Sequence, residues 1–540
     1  MRILNAESLS SHGNVRGRQA MIEILEAGLQ AADPYYNTLK LLRVENGKLI
    51  VGHPDFEPAG TPRPGEEVYD LGRMGRIYVF GAGKGVQRVA RAIEEVLGDR
   101  LAGGHVIAKH GDERILDRIG VTFGAHPVPD DGCVRGCQQI LAMCQDLRPE
   151  DLVFTVVANG VSALLTMPVP GVSLEDVRQT TYAMQIERGA PTQDLNPIRN
   201  HLDMMKGGRI SRHIQPAMAI HIVAIDPNYA PHQGAQRTPY DQLIHGNLWL
   251  HTLPDCTTFA DAVAMLDKWD AWDVVPAAVR EHLRRADPRH ETVKADEFER
   301  WRFRIFGVMP QHLGVIPAVR RKAARLGFKP HLLARFMQAE ASQAGFVIAD
   351  IARTIEREGA PFEPPCALIT GGELLVTVGQ ETGVGGRNQE FALAAALRIA
   401  GSERIVVAGV DTDGTDGPGF QFAPRSFAAL RMTNAALRMT NDALRMTNDA
   451  LRTTDDALGP RSAQLAGELV RAAGELPPCL AGGIVDGQAV AEARAANVDI
   501  LAALRRHNTS PALWKLQSGI VATQNISLTD LGVTLVMGRE

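Results

Sequence analysis

The chain has 540 residues, of which 45% are hydrophobic and 22% charged, so it can bury a core and is not disordered throughout. Its formal net charge is −5 and it has no strongly basic domain, which argues against a nucleic-acid partner. The N-terminus lacks the apolar core of a signal peptide, and no apolar run approaches the ~20 residues of a membrane helix. We therefore predict a cytoplasmic protein of more than one domain, with no membrane partner.

Strand and helix patterns alternate along the first 240 residues or so. Residues 14–32 have the apolar spacing of an amphipathic helix, and 133–147 predict another. Strand patterns, two of them followed by a turn and a helix, occur at 76–98, 105–111, 151–165 and 219–226. Because such alternation is typical of parallel strands joined by helical crossovers, we predict a doubly wound, Rossmann-like α/β domain over residues 1–300.

The rest of the chain predicts a second, smaller domain. Residues 258–354 have mostly helical patterns, and we interpret 301–365 as a helical connection. A new alternation begins at Cys366 and predicts a C-terminal α/β domain over residues 366–540.

A seven-residue repeat interrupts this second domain. From Leu430 the sequence reads LRMTNAA, LRMTNDA, LRMTNDA and LRTTDDA, with too few large aliphatic side chains for a coiled coil. We interpret about 420–478 as an inserted low-complexity segment. A partner-binding helix is the alternative, and neither interpretation places chemistry there.

Two glycine-containing turns lie between a strand and a helix. The first is GAGKG (81–85), and the second is ANGVS (158–162). Backbone N–H groups at such turns and the N-terminus of the following helix favour a bound anion, and Lys84 adds a full positive charge. Neither turn has the spacing of a P-loop or of GxGxxG. A surface lysine after a tight turn and a simple helix cap are the plain alternatives.

A basic segment follows. Cations beside glycines suit phosphate or carboxylate, although a solvated basic face is the usual explanation. The side chains concerned are Arg199, His201, Lys206 and Arg209.

Two polar motifs mark the second domain. GGRNQE (385–390) opens an otherwise apolar helix, where charged groups are costly unless they meet a ligand or each other. An internal Arg387–Glu373 pair is the structural alternative. DTDGTDG (411–417) puts three carboxylates at the C-terminal end of a strand, where α/β sheets bind ligands. Such oxygens suit Mg²⁺ or a general base.

Together these motifs resemble the glycerate 2-kinase family, which combines a DUF4147 domain with a C-terminal MOFRL domain. The resemblance runs from about residue 16 to the C-terminus apart from the repeat, and rests on GAGKG (81–85), HPVPDDG (126–132), ANGVSALL (158–165), NPIRNHLDMMKGGR (196–209), TGGELLVTV (370–378), GVGGRNQEFALA (383–394), DTDGTDGP (411–418) and AGGIVDG (481–487). It implies transfer of the ATP γ-phosphate to glycerate, or a related 2-hydroxy acid, at its 2-hydroxyl. The product would be 2-phosphoglycerate, formed in a cleft between two domains.

The resemblance also implies roles for individual residues. Lys84 and Arg387 would be the catalytic cations, and Asp413 would orient the substrate hydroxyl. Arg387 would either clamp the substrate carboxylate or stabilise the transferring phosphoryl group, and the sequence leaves both roles open. Asp226 and Asp416 would hold Mg²⁺, with Asp226 as the other candidate for the hydroxyl. Nucleotide contacts would come from Gly81, Gly83, Asn159, Gly160, Ser162 and Lys206.

Two other functions stay open. Members of this family have been called hydroxypyruvate reductases, but GxGxxG with an acidic residue ~20 positions later is not found here. The family's SGGGS loop reads ANGVS (158–162) in this chain, which favours a degenerate member that binds a small anion, or a partner through the insertion, without turnover. The intact GAGK, GGRNQE and TDGTDGP motifs oppose this alternative. The expected partner is the small-molecule substrate, and a homodimer is left open.

Overall fold

A computed structural model describes residues 2–225, 239–378, 381, 383–417, 479–524, 526 and 530–539. Its contacts divide the chain into two compact units. Ala31–Gly314 makes up most of one, which we call the parallel-sheet unit. Met1–Gln30 and Val315–Thr523, with the last strand, make up most of the other, the mixed-sheet unit. The repeat segment and Asp226 lie outside the described residues.

The helices of the described residues are α1 Ala6–Leu9, α2 Val15–Ala31, α3 Tyr35–Leu41, α4 Val86–Leu97, α5 Asp131–Cys144, α6 Val161–Leu164, α7 Leu174–Thr181, α8 Thr192–His201, α9 Arg209–Ile214, α10 Pro239–His245, α11 Phe259–Lys268, α12 Ala277–Arg285, α13 Ala295–Phe298, α14 Val315–Arg325, α15 Ala341–Glu358, α16 Arg387–Ile399, α17 Ala489–Ala495, α18 Ile500–Arg505 and α19 Thr509–Lys515. The strands are β1 Leu42–Glu45, β2 Lys48–Val51, β3 Glu67–Asp70, β4 Ile77–Ala82, β5 Leu101–Lys109, β6 Gly120–Gly124, β7 Leu152–Ala158, β8 Met218–Ala224, β9 Phe303–Gly307, β10 Lys329–Met337, β11 Cys366–Gly372, β12 Ile405–Asp411, β13 Gly482–Asp486, β14 Gly519–Ile520 and β15 Asp530–Val536.

The parallel-sheet unit contains the predicted doubly wound sheet. Its strands follow the order β6-β5-β4-β7-β8-β9, and every neighbouring pair is parallel. Alternate residues of β4 enter different cores, because successive side chains of a strand point to opposite faces. Val79 packs in the core that includes α4, and Phe80 packs in the core that includes α5. Helices therefore cover both faces, and the α/β prediction is confirmed.

The mixed-sheet unit has a different topology. Its six strands follow the order β10-β11-β15-β12-β13-β14, and all pairs except β10 with β11 are antiparallel. The apolar helix α16 packs in the core of this unit with α15. The alternation after Cys366 thus predicted the α/β class. The antiparallel strand directions arise because β15 inserts between β11 and β12 and is antiparallel to both.

Six strands, β1, β2, β3, β6, β9 and β10, lie where the sequence patterns predicted none. β9 and β10 occur within 258–354, which is mostly but not wholly helical, and both also lie in the proposed connection over 301–365. β3, in the Pro- and Gly-rich stretch before β4, completes a three-stranded antiparallel sheet with β1 and β2. In the described part of the chain, no helix combines the length and apolarity that crossing a membrane would take.

Candidate active site

Both glycine turns lie at the centre of the parallel sheet. GAGKG (81–85) begins in the last residues of β4 and ANGVS (158–162) at the last residue of β7, and these two strands are neighbours at the point where the strand order reverses. Open α/β sheets bind ligands at the carboxyl ends of their strands, beside such a switch point. The turns are joined directly, since the backbone N–H of Lys84 donates to the carbonyl of Asn159 at 2.7 Å.

Glycine is required in both turns. Gly83 has φ +129° and Gly160 has φ +81°, a backbone region that L side chains rarely adopt. A Cβ at Gly83 would lie 2.5 Å from the carbonyl oxygen of Ala158, and one at Gly81 would lie 2.5 Å from that of Val156. The two turns can approach each other only because these positions lack side chains.

Lys84 and His126 flank Gly160. The Cγ atom of Lys84 is 3.6 Å, and Cδ2 of His126 is 2.9 Å, from the place that a Cβ on Gly160 would take. Lys84 also lies two residues before α4, whose N-terminal N–H groups favour an anion. A cation and an imidazole thus meet at the edge where the ligand of such a sheet binds. The sequence marks His126 only through the HPVPDDG motif.

Ser162 forms a hydrogen bond with a buried histidine. Its Oγ and Nε2 of His251 are 2.9 Å apart. Burial, together with the charges of Lys206 and Arg199, holds the pKa of His251 well below its ordinary value. His251 is therefore neutral at physiological pH. Sequence reasoning did not select it, because it lies 89 positions from Ser162 and has no local motif.

Lys206, expected at the nucleotide, is instead part of an internal ion pair. Only 1% of it is exposed, and its Nζ lies 2.5 Å from Oδ2 of Asp203 and 2.8 Å from Oγ1 of Thr166. This pairing neutralises the ammonium inside the protein. The geometry therefore speaks against direct contact between Lys206 and a phosphate.

Arg387 ties together the strand ends of the mixed-sheet unit. Its Nε donates to Asp530 at 2.8 Å, Nη1 to Glu373 at 3.3 Å and Nη2 to Asp411 at 3.1 Å. These carboxylates hold the pKa of Arg387 well above its ordinary value despite burial. The Arg387–Glu373 pair predicted as the structural alternative is present, and it is one of three ion pairs of Arg387.

Asp416 caps helix α16. Its Oδ1 accepts from the N–H of Asn388 at 3.1 Å and its Oδ2 from the N–H of Gln389 at 2.9 Å, both in the first turn. A Cβ on Gly386 would lie 2.4 Å from this carboxyl group, so Gly386 provides the room. Burial, with the charge of Asp530 nearby, raises the pKa of Asp416 to about 6.

These contacts give Asp416 a capping role, and the proposed magnesium site stays a prediction. Asp416 is engaged through both oxygens by the helix that it caps, and Asp226 lies outside the described residues. No group of three or more His, Cys, Asp or Glu side chains in the described residues could hold a metal ion. Asp413 is buried, and its Oδ1 accepts from both the backbone and the hydroxyl of Thr415, at 2.8 and 2.7 Å.

Two family descriptions match the chain. Residues 20–226 match a domain of unknown function called DUF4147, and residues 366–457 match the MOFRL family.

Named relatives match over most of the chain. It is 33% identical over 407 residues to the glycerate 2-kinase of Pyrococcus horikoshii, covering 74% of this chain and 83% of that protein. It is 32% identical over 364 residues to a putative hydroxypyruvate reductase of Agrobacterium vitis, covering 66% of this chain and 89% of that protein. A crystal structure of a Pyrococcus horikoshii protein superposes with a TM-score of 0.60 at 28% identity, covering 97% of this chain and 99% of that one.

Proposed function

Because this chain belongs to the glycerate 2-kinase family, we propose that it transfers the γ-phosphoryl group of ATP to the 2-hydroxyl of glycerate or a related 2-hydroxy acid, giving 2-phosphoglycerate and ADP. The observation that carries the proposal is the position of Lys84. It lies in the GAGKG turn and beside the ANGVS turn, at the switch point of the parallel sheet and before the N-terminus of α4. Phosphoryl transfer depends on positive charge around the migrating group rather than on a covalent nucleophile.

The step that we propose is an in-line displacement. The 2-hydroxyl oxygen forms a bond to the γ-phosphorus while the bond from that phosphorus to the β–γ bridging oxygen breaks, and ADP leaves. We propose Asp413 as the acceptor of the hydroxyl proton. Lys84 would attract the phosphate oxygens, and Gly81, Gly83, Asn159, Gly160 and Ser162 would form the surrounding turns.

Arg387 also has a proposed role in the transfer. Its guanidinium is shared among three carboxylates. We propose that it acts on the transferred group while these carboxylates hold its orientation. Mg²⁺, which we expect to arrive with the triphosphate oxygens, would add charge neutralisation there. Localisation in the cytoplasm and assembly as a homodimer stay predictions.

A coupled assay for ADP release tests the proposal. Wild-type protein with glycerate, ATP and Mg²⁺ should release ADP in amounts that match the 2-phosphoglycerate formed. Lys84→Ala should lower kcat at least ~100-fold, the usual loss when a group that stabilises transition-state charge is removed. Lys48→Ala, which removes an exposed lysine of the same unit, is the matched control and should keep full activity. ADP release unaffected by Lys84→Ala would contradict the assignment.

The relative from Agrobacterium vitis makes reduction of hydroxypyruvate the second candidate. The strand order of the parallel sheet is also that of dinucleotide-binding domains. Oxidation of a reduced nicotinamide cofactor by hydroxypyruvate, with no ADP release from ATP and glycerate, would favour this candidate.

A further inference from the structure

Arg199 is a buried cation with little to neutralise it. It is 6% exposed, and its Nη2 donates to Oε1 of Gln185 at 2.9 Å. Within the described residues it has no ion pair with any carboxylate. Burial lowers the pKa of Arg199 to about 10, so the guanidinium stays charged at neutral pH. A buried, unpaired charge is costly and is retained where an anion arrives to meet it.

The other basic side chains of the same segment are satisfied internally. Nε2 of His201 lies 2.8 Å from Glu291, and Lys206 lies 2.5 Å from Asp203. Arg209 donates to backbone carbonyls, including that of Asn200 at 2.5 Å. Arg199 is therefore the member of this basic segment that is left for a ligand.

Unpartnered polar atoms lie on the same helix face as Arg199 and on His251, whose pKa it affects. Asn196, one helical turn earlier on the same face of α8, is fully buried, and its Nδ2 and Oδ1 both lack a hydrogen-bond partner. His251, whose pKa Arg199 helps to lower, is 1% exposed and its Nδ1 also lacks a partner. Buried polar atoms are rarely left unsatisfied, so those of Asn196 and His251 point to an absent ligand.

This group adjoins the glycine turns. His251 contacts Ser162 through Nε2, and Ser162 follows Gly160, beside which Lys84 lies. A ligand held by Arg199 would thus lie close to the ANGVS turn, beside which Lys84 also lies.

We propose that Arg199, Asn196 and His251 form the subsite that binds the carboxylate of the hydroxy-acid substrate. This inference rests on the proposed function and names the recognition element of the same site. The planar guanidinium matches a carboxylate in a bidentate pair, and Nδ2 of Asn196 supplies a further donor. Nδ1 of neutral His251 completes the set when it carries the proton, with Nε2 accepting from Ser162.

Arg199→Gln separates this role from a structural one. Binding of the carboxylate contributes equally before and during transfer, so KM for glycerate should rise about 30-fold or more while kcat and KM for ATP stay within about threefold of wild type. Glycerate binding without nucleotide, measured by calorimetry, should weaken by the same factor. The melting temperature should hold or rise, because the variant removes an uncompensated buried charge. Arg199→Lys keeps the positive charge but not the forked guanidinium, so its KM for glycerate should lie between those of wild type and Arg199→Gln.

Arg212→Gln is the matched control. It removes an arginine of the same segment that is half-exposed and paired with Glu297 at 2.7 Å, and should leave KM for glycerate unchanged. Unchanged glycerate KM and affinity in Arg199→Gln, or a rise confined to the KM for ATP, overturns the subsite and leaves the kinase proposal standing. Conversely, wild-type protein that binds glycerate without phosphorylating it, with binding lost in Arg199→Gln, supports the subsite and overturns the kinase. Wild-type protein that neither binds nor phosphorylates glycerate overturns both.

Discussion

Lys84 and Gly160 come from different turns yet lie side by side, with Cγ of Lys84 3.6 Å from the position of a Cβ on Gly160. The hydrogen bond from the N–H of Lys84 to the carbonyl of Asn159 fixes the same approach in the backbone. Any side chain added at 160 would therefore act on the lysine and on His126 before it acted on the rest of the core.

Gly160→Ala should impair activity as well as stability. The new Cβ would meet Cδ2 of His126 at 2.9 Å, at a φ of +81°, and should lower kcat/KM about tenfold or more. The cost of a left-handed alanine is about 1–2 kcal/mol in the free energy of unfolding. Gly171→Ala is the control, since it has φ +89° and nothing within 4 Å of its Cβ. Equal kinetics in the two variants would show that the crowding at 160 is irrelevant.

Arg387→Ala should destabilise the protein as well as inactivate it. It would leave Asp411 and Asp530, whose side chains are 6% and 4% exposed, without their cation. Breaking such a buried pair costs about 3–5 kcal/mol. Chemical denaturation measures this, with Arg398→Ala as control, because Arg398 lies on the same helix but is half-exposed. Equal unfolding free energies for the two variants would contradict the network.

A double-mutant cycle tests whether Lys84 and Arg387 act on one step. If both stabilise the same transferred group, their losses in kcat should not multiply, because the second substitution removes less once the first has been made. Single-turnover rates of the two single variants and the double variant give the coupling; Arg387→Lys replaces Arg387→Ala if the latter unfolds. Fully multiplicative losses would place the two residues in separate roles.

Asp416→Asn should change the dependence of stability on pH. Because burial raises the pKa of Asp416 from 3.8 to about 6, the folded protein binds this proton more tightly than the unfolded chain. The resulting stabilisation is complete below pH 3.8 and is lost as pH rises through about 6, a change of about 3 kcal/mol.

The comparison to make is the unfolding free energy of wild type minus that of Asp416→Asn. This difference should fall between pH 4 and 6 and stay level above pH 7. The weaker helix cap of Asp416→Asn adds ~1 kcal/mol to the difference at every pH. A difference that is flat over the whole range would contradict the raised pKa.

The parallel sheet could be predicted because its strands are short runs of Val, Ile and Ala bounded by glycine turns. β9 and β10 were missed since Arg304 in the first and Lys329 in the second sit among basic, helix-like segments. β9 forms a strand because it pairs with β8, and β10 because it pairs with β11. The periodicity of the sequence does not report such pairing.

The candidate site was predictable in its turns but not in its long-range contacts. Lys84 and the ANGVS turn carry local signals of glycine and charge. Asp416, in contrast, has the sequence context of a metal ligand. Only the fold brings it to the start of α16, where it contacts Gln389, a residue 27 positions earlier in the chain. His251 reaches Ser162 in the same way, so its importance depends on tertiary structure alone.

Deletion of residues 425–460 should leave the fold intact. The described residues on either side of the repeat meet, since Sγ of Cys479 is 3.8 Å from the carbonyl of Gly417 and the N–H of Asp416 donates to Leu480 at 2.7 Å. β12 and β13 are antiparallel neighbours, so a short loop can join their ends. The deletion variant should remain soluble, with a melting temperature within a few degrees of wild type. Loss of soluble protein would contradict the interpretation of the repeat as an insertion, and an active but less soluble variant would instead favour a partner-binding helix.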